Sequence, residues 1–387
     1  MDKLIERGAQ EIIDKDHLEE RLKKGDMLRV KLGIDPTSPN IHIGRAVVLW
    51  ELRTFQDLGH QAVFIVGDFT GLIGDTSDKE SERPMLTEEE VRNNMKTYLD
   101  QAFKILDPQK TEVHYNSTWL SKLGFHEIGK MADKFSLHEF SARELIKNRL
   151  DAGKRVSLRE VLYPLMQGYD SVAVKADVEL GGADQRFNLL AGREIQPLYG
   201  QNPQDIVITK FPLEGLDGRK MSSSWGNVIG ITDEPNDMFG KIMSIHDDLI
   251  IKYFDLATRL SSEDIESLSE QLKTGANPKD VKLRLASEIV SLYHGKKEAQ
   301  NAQNKFEKVF SKKELPEDIK EWHFKEGEVD IINVLKGSGI VSSKAEAKRL
   351  VDQKAVSVNN DTIKDWGHIL KSGDVIKVGP RKFIRVK

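Results

Sequence analysis

The 387-residue chain has no cysteine. That excludes a disulfide framework, a thiolate metal site and a cysteine nucleophile, and it fits a reducing cytosol. No apolar run approaches the ~20 residues that a helix needs to span a bilayer. The first residues, MDKLIERGAQEIIDKDHLEERLKK, form a charged amphipathic pattern and lack the apolar stretch of a secretory signal. These absences lead us to expect a cytoplasmic protein with no membrane partner. Internal repeats and low-complexity tracts are also missing. The length suffices for two or three domains with a sizeable core.

Strong net charge is lacking too, at −4 overall, but its distribution is uneven. Residues 329–387 carry 12 Lys and Arg against 6 Asp and Glu, a net of +6; the preceding 328 residues carry 46 against 56, a net of −10. An acidic body with a small basic piece predicts a local polyanion contact, not a general coating.

Met27–Ile34 reads as a buried strand, Ile43–Leu58 is apolar at helical spacing, and Gln61–Val66 reads as a second strand. Strand, helix and strand at this spacing predict a βαβ unit with a crevice at the strand C-termini. The glycine-rich stretch GDFTGLIGD, residues 67–75, falls in that crevice. Residues 178–182, 185–195 and 206–211 predict another strand, helix and strand. Residues 86–106 and 124–150 read as helical insertions, and 235–310 as helical. Residues 311–328 read as a charged linker. Beyond them, Ser343 and Glu346 match a capping box ahead of a helix, followed by two short strands.

Two loops carry the chemistry. In KLGIDPTSPNIHIGR, residues 31–45, His42 and Gly44 stand where the helix begins. The plain reading is a helix start capped by Asn40. The sharper reading is a phosphate site, because unpaired N–H groups at a helix N-terminus attract anions. In GLDGRKMSSSWGN, residues 215–227, glycines flank Arg219 and Lys220 and three serines follow. A solvated turn is the plain reading; a mobile phosphate-binding loop is the other. A third feature is Tyr163, Gln167 and Asp170, at i, i+4 and i+7 on one helix face among apolar neighbours. Polar groups there need partners, and a polar small molecule is one.

HIG near the start paired with KMSSS after the second half-sheet is similar to the double signature of class I aminoacyl-tRNA synthetases. Over nearly its full length the chain resembles bacterial tyrosyl-tRNA synthetases. The matches are GIDPTSPNIHIG, GDFTGLIGD, YPLMQGYDS, ADVELGGADQRFNLLAGREIQ and the KMSSS loop. The resemblance implies an α/β fold: a Rossmann-like parallel-sheet catalytic domain over 1–226 with a helical insertion at about 86–165. A helical anticodon-binding domain over 227–320 and a small α+β RNA-binding domain of alpha-L type over 329–387 would follow. It implies tyrosine, ATP and tRNA(Tyr) as substrates, Mg2+ accompanying ATP without a dedicated protein site, and a homodimer.

The resemblance also implies residue roles. Tyr163, Gln167 and Asp75 would hold the tyrosine ammonium, Asp170 would meet its phenol, and Gln185 its carboxylate side. Gly33, Asp35, Thr37, Gly182, Asp184 and Met221 would line the nucleotide, with Asp184 and Gly182 at the ribose. His42, Gly44, Arg45, Lys220, Ser222 and Ser224 would face the phosphates, with Lys79 and Arg83 reaching the pyrophosphate. Three positions depart from the family pattern. Arg45 replaces a usual histidine, Ser223 replaces a lysine of the loop, and Lys31 stands where many tyrosyl enzymes place a tyrosine against the phenol. Tryptophanyl enzymes share the fold and both motifs, and a non-catalytic RNA-binding paralogue could keep the scaffold. Asp170 and the intact ligand set favour an active tyrosine enzyme.

Overall fold

Buried β-branched and aromatic runs become the strands of the sheet. The computed structural model describes residues 3–75, 85–210, 212–311, 320–323, 330–359, 361–379 and 382–387. Its larger compact unit comprises Met1–Asp233 and Lys241–Gly295. Here a six-stranded sheet forms from Ala9–Ile13 (β1), Arg29–Ile34 (β2), Gln61–Val66 (β3), Thr111–Tyr115 (β4), Val178–Gly182 (β5) and Asp205–Thr209 (β6). The strand order is β1-β6-β5-β2-β3-β4. β1 runs antiparallel to β6, and the other neighbours are parallel.

β2, β3, β5 and β6 lie where the apolar runs predict them. β1 and β4 were not expected. AQEII and TEVHY are edge strands, half exposed along much of their length, so neither shows a continuous apolar run. β2 and β5 are neighbours, and the chain leaves them toward opposite edges of the sheet. That makes the β2–β5 gap the topological switch point, where a crevice opens at the strand C-termini.

Two helices aim the crevice residues. Ile43–Asp57 follows β2 and starts at the crevice. Behind it, Trp50 donates its Nε1–H to the Tyr293 hydroxyl at 3.0 Å, and Arg259 donates to Thr54 at 2.7 Å. The Ile250–Ala257 and Pro278–His294 helices thus belong to the sheet unit. Leu158–Val174 begins with a capping box at Ser157 and Glu160; such a cap contributes about 1 kcal/mol. This helix packs closely against Arg186–Ile195. The contact passes through Gly168, where an added Cβ would lie 2.6 Å from Ile195 Cδ1 and 3.1 Å from the Ala191 carbonyl.

The second unit comprises Glu234–Gly240 and Lys296–Lys387. Its sheet is ordered β7-β11-β10-β8-β9, from Lys320–Trp322 (β7), Val356–Val358 (β8), Asp361–Thr362 (β9), Val375–Val378 (β10) and Lys382–Val386 (β11). Ile331, Val334, Leu335, Val351, Ile376 and Ile384 form its core with their neighbours. The linker reading of 311–328 needs correction where it is described, because Lys320–Trp322 pairs parallel with β11. Three residues alternating in charge and bulk are too short to register as a strand. The capping box is also half shifted. Ser343 Oγ accepts from the Glu346 N–H at 3.1 Å, but the Glu346 carboxylate turns to Ser342, accepting from its N–H at 2.8 Å and its hydroxyl at 2.6 Å.

Gly168→Ala tests the helix contact. The added methyl meets backbone as well as side chain, so the variant should lose about 1–3 kcal/mol by overpacking. Urea unfolding would read this, and unchanged stability would show that the helices separate at no cost.

Candidate active site

A cavity of about 830 Å³ opens at the switch point. Lining it are Gly33, Asp35, Thr37, His42, Gly44 and Arg45 from the β2 end and the helix start. Asp75 comes from the glycine stretch, Tyr163, Gln167 and Asp170 from the Leu158–Val174 helix, and Gly182, Asp184 and Gln185 from the β5 end. Lys220, Met221 and Ser222 come from the serine loop. The three sequence features therefore converge on one space. Lys79 and Arg83 lie outside the described residues, as does the side chain of Ser224. Lys31 is not among the cavity residues; it is fully buried beneath them.

The helix start is capped by His42, not Asn40. His42 Nδ1 accepts the Arg45 N–H at 3.2 Å. Burial, helped by Arg45 and Lys220, drives the imidazole down to about 3, so the ring is neutral near pH 7. With Nδ1 accepting, the ring proton sits on Nε2. Gly44 leaves room for the capping imidazole: an added Cβ would lie 3.1 Å from His42 Nδ1, and Met221 Sδ of the serine loop is at ordinary contact distance, 3.4 Å. Strand-like bonds fasten the chain beyond the loop to this stretch, from Ile43 N–H to Ile229 O at 2.9 Å and from Ile231 N–H to Ile41 O at 3.0 Å. The loop itself is held by Asn227, whose Oδ1 accepts from the Ser222 N–H at 2.9 Å and whose Nδ2 donates to Lys220 O at 3.1 Å.

Cations gather at this end. Arg45 donates through Nη2 to Thr37 Oγ1 at 2.9 Å, and Lys220 Nζ lies 3.7 Å from Asp184. Trp225, at the cavity edge, stacks with Arg219 at 4.7 Å. An aromatic among serines in a phosphate-type loop was the sequence signal for it.

The other end is built on carboxylates. Asp35 accepts from Thr70 Oγ1 at 2.7 Å and from the Tyr163 hydroxyl at 2.8 Å. Asp75 accepts from Gln185 Nε2 at 2.6 Å. Asp170, 3% exposed, accepts from Trp119 Nε1 at 2.7 Å and from Asn116 Nδ2 at 3.1 Å. Burial pushes its carboxyl up to about 7; Lys31, Trp119 and Asn116 pull the other way. Sequence reasoning missed Asn116 and Trp119. They follow β4, itself unforeseen, and NSTW carries no motif by itself. Among the described residues, Asp14, His17 and Asp205 form a group with metal-ligand spacing, but Arg193 pairs with two of them and none lines the cavity.

The family model of class I tRNA synthetases (W and Y) matches residues 23–311, and that of the S4 domain matches residues 331–376. The chain is 48% identical to a tyrosine--tRNA ligase of Carboxydothermus hydrogenoformans, over 99% of this chain and 96% of the relative. It is 47% identical to one of Thermotoga maritima with the same coverages. A C-terminally truncated mitochondrial tyrosyl-tRNA synthetase of Aspergillus nidulans shares the fold, with a TM-score of 0.67 and 22% identity over 79% of this chain and 93% of that one. The tyrosyl-tRNA synthetase of Archaeoglobus fulgidus, solved with L-tyrosine, matches at a TM-score of 0.62 and 23% identity, over 78% and 98%. The chain belongs to the class I tRNA synthetases of the tryptophan and tyrosine group. Within that group its activity is the ATP-dependent ligation of tyrosine to tRNA.

Gly44→Ala separates the site from the fold. Gly44 is the second residue of the helix, where the glycine-to-alanine difference is smaller than the ~1 kcal/mol of a helix interior, so stability should change little. The methyl would lie 3.1 Å from His42 Nδ1, so the imidazole must give by a few tenths of an ångström, while Met221 stays at ordinary contact distance; displacing a group that faces the reacting phosphates lowers the rate. Tyrosine-dependent pyrophosphate exchange should therefore fall at unchanged melting temperature. Undiminished exchange would show that the placement of the His42 ring does not depend on this glycine.

Proposed function

We propose that the cavity binds tyrosine at its carboxylate end and ATP at its cationic end, and joins them without an enzyme nucleophile. The tyrosine carboxylate attacks the α-phosphorus of ATP and pyrophosphate leaves. A ribose hydroxyl at the tRNA 3′ end then takes the tyrosyl group. Catalysis is positioning plus charge stabilisation on the departing phosphates. The observation that carries this reading is Asp170. It is a buried carboxylate whose two oxygens are each anchored by a neutral donor, with acceptor capacity remaining for a phenol O–H.

The remaining roles are those the family resemblance implies, and local geometry supports several of them. Gln167 commits its Nε2 to Glu179 at 3.1 Å, which turns its amide oxygen the other way, as an ammonium requires. Tyr163 donates to Asp35, leaving its oxygen to accept from the same ammonium. Asp75 adds negative charge there, and Gln185, bonded to Asp75, stands at the tyrosine carboxylate. Asp184 and Gly182 at the β5 end meet the ribose. Neutral His42 offers Nε2–H to the phosphates, and Arg45, Lys220 and the Ser222 region supply charge and donors; for Lys79 and Arg83, outside the described residues, the resemblance alone supports a pyrophosphate role. Mg2+ comes with ATP as part of the substrate, held by phosphate oxygens and water.

For the tRNA, we assign residues 227–320 to the anticodon end and the basic 329–387 segment to a further contact. The S4 match and the net +6 of that segment support this, with Lys348 stacked on the part-exposed Trp366 at 4.7 Å. We also infer a homodimer in the cytoplasm. Phe125 and Leu158 are 93% and 80% exposed, and Leu137 and Leu162 of the same insertion are exposed too, apolar surface that a second copy would cover.

Asp170→Ala tests the reading. Hydrogen bonds to charged groups contribute about 1.5–3 kcal/mol, so preference for tyrosine over phenylalanine should fall roughly ten- to a hundredfold or more. Exchange measured with each amino acid would read it. An unchanged ratio would remove Asp170 as the phenol's partner.

A further inference from the structure

Lys31 and Glu179 place opposite charges among the buried residues of two neighbouring strands. They are register partners on β2 and β5, at the switch point. Their side chains are 0% and 1% exposed, with Lys31 Nζ 2.9 Å from Glu179 Oε1. Stability is a weak reason for such a pair, since apolar residues of similar volume often serve as well. Its contacts point upward, into the helix that carries the tyrosine residues. Lys31 donates to Gln167 O and to Ser171 Oγ, each at 2.8 Å. Glu179 accepts from Gln167 Nε2 at 3.1 Å and Ser171 Oγ at 3.0 Å, and also from Gln204 Nε2. Both the backbone and the amide of Gln167 are thereby tied to one ion pair.

We propose that Lys31 and Glu179 are a positioning and specificity-determining pair, which fixes Gln167 behind the tyrosine ammonium and sets the electric field at Asp170 where the phenol is read. This rests on Asp170 being the phenol's partner. Lys31 thus acts from beneath the pocket, at a position where the family commonly touches the phenol directly. The groups around Asp170 come from every packed element. β2 contributes cationic Lys31 and β5 anionic Glu179, while its own helix contributes Tyr163, bonded to Asp35. Neutral Asn116 and Trp119 come from the segment after β4, with the His114 ring tilted against Trp119 at 5.8 Å and bonded to Glu112. Against the upward push of burial at Asp170, Lys31 pulls down and Glu179 pushes up.

The two partners therefore act with opposite sign, which a purely structural role would not produce. The test is kcat/KM for tyrosine in pyrophosphate exchange by the full chain across pH 5.5–9, with the KM for ATP followed alongside. The carboxylate is needed ionised, so activity should fall on the acid side near the Asp170 value of about 7. Lys31→Met with Glu179→Gln should move this acid limb up by about one pH unit, roughly a tenfold loss at pH 6, with the KM for ATP unchanged. Glu179→Gln alone keeps the ammonium and should move the limb down. Asp170→Asn should abolish the limb. If the limb stays put in both pair variants but vanishes in Asp170→Asn, the pair is not a specificity device and the reading of Asp170 stands. A uniform fall at every pH in the pair variants would likewise reduce them to packing. If Asp170→Asn keeps the limb, the reading of Asp170 fails and the proposal with it.

Discussion

A carboxylate taken almost wholly out of water stays ionised only if its surroundings supply what water did, and the cavity floor is arranged around that requirement at Asp170. Two neutral donors, Trp119 and Asn116, occupy one oxygen each, and a buried ammonium lies below. The cost of burial is not fully cancelled, and the group remains far above the ordinary carboxylate range. That residual tension suits a recognition site. A phenol O–H arriving in the cavity gives the carboxylate the further donor that burial denies it, whereas a plain benzyl side chain gives nothing.

The rest of the fold serves to set this end of the cavity beside a cationic one. The switch point brings the ends of β2 and β5 together, so one strand delivers Asp35 and the His42 helix while the other delivers Asp184 and Gln185. Met221 packs within van der Waals reach of Gly44, which brings two motifs almost 180 residues apart in sequence into contact. His42 is neutral and acts as helix cap as well as cavity wall. In the proposed phosphate role it would give a directed N–H donor, with the charge coming from Arg45 and Lys220.

Much of this was legible in the sequence, and the misses share a physical cause. Long apolar runs announced β2, β3, β5 and β6, and helical spacing announced Ile43–Asp57, because those elements are buried enough to leave a pattern. The edge strands β1 and β4 left none, and with β4 went Asn116 and Trp119 just beyond it. The helix-face spacing of Tyr163, Gln167 and Asp170 gave three cavity residues correctly grouped. Lys31 was noticed only as a departure from a family pattern. Its partner Glu179 lies almost 150 residues away, and only the strand register brings the two charges together. A lone charge inside an apolar strand is a signal, but sequence cannot say what answers it.

The most direct measurement is pyrophosphate exchange into ATP by the purified full chain, with tyrosine and tryptophan supplied separately. Both amino acids suit class I enzymes of this group, but only one carries a phenol for Asp170. Exchange should depend on tyrosine and be absent with tryptophan. Exchange with tryptophan, or with neither amino acid, would contradict the account.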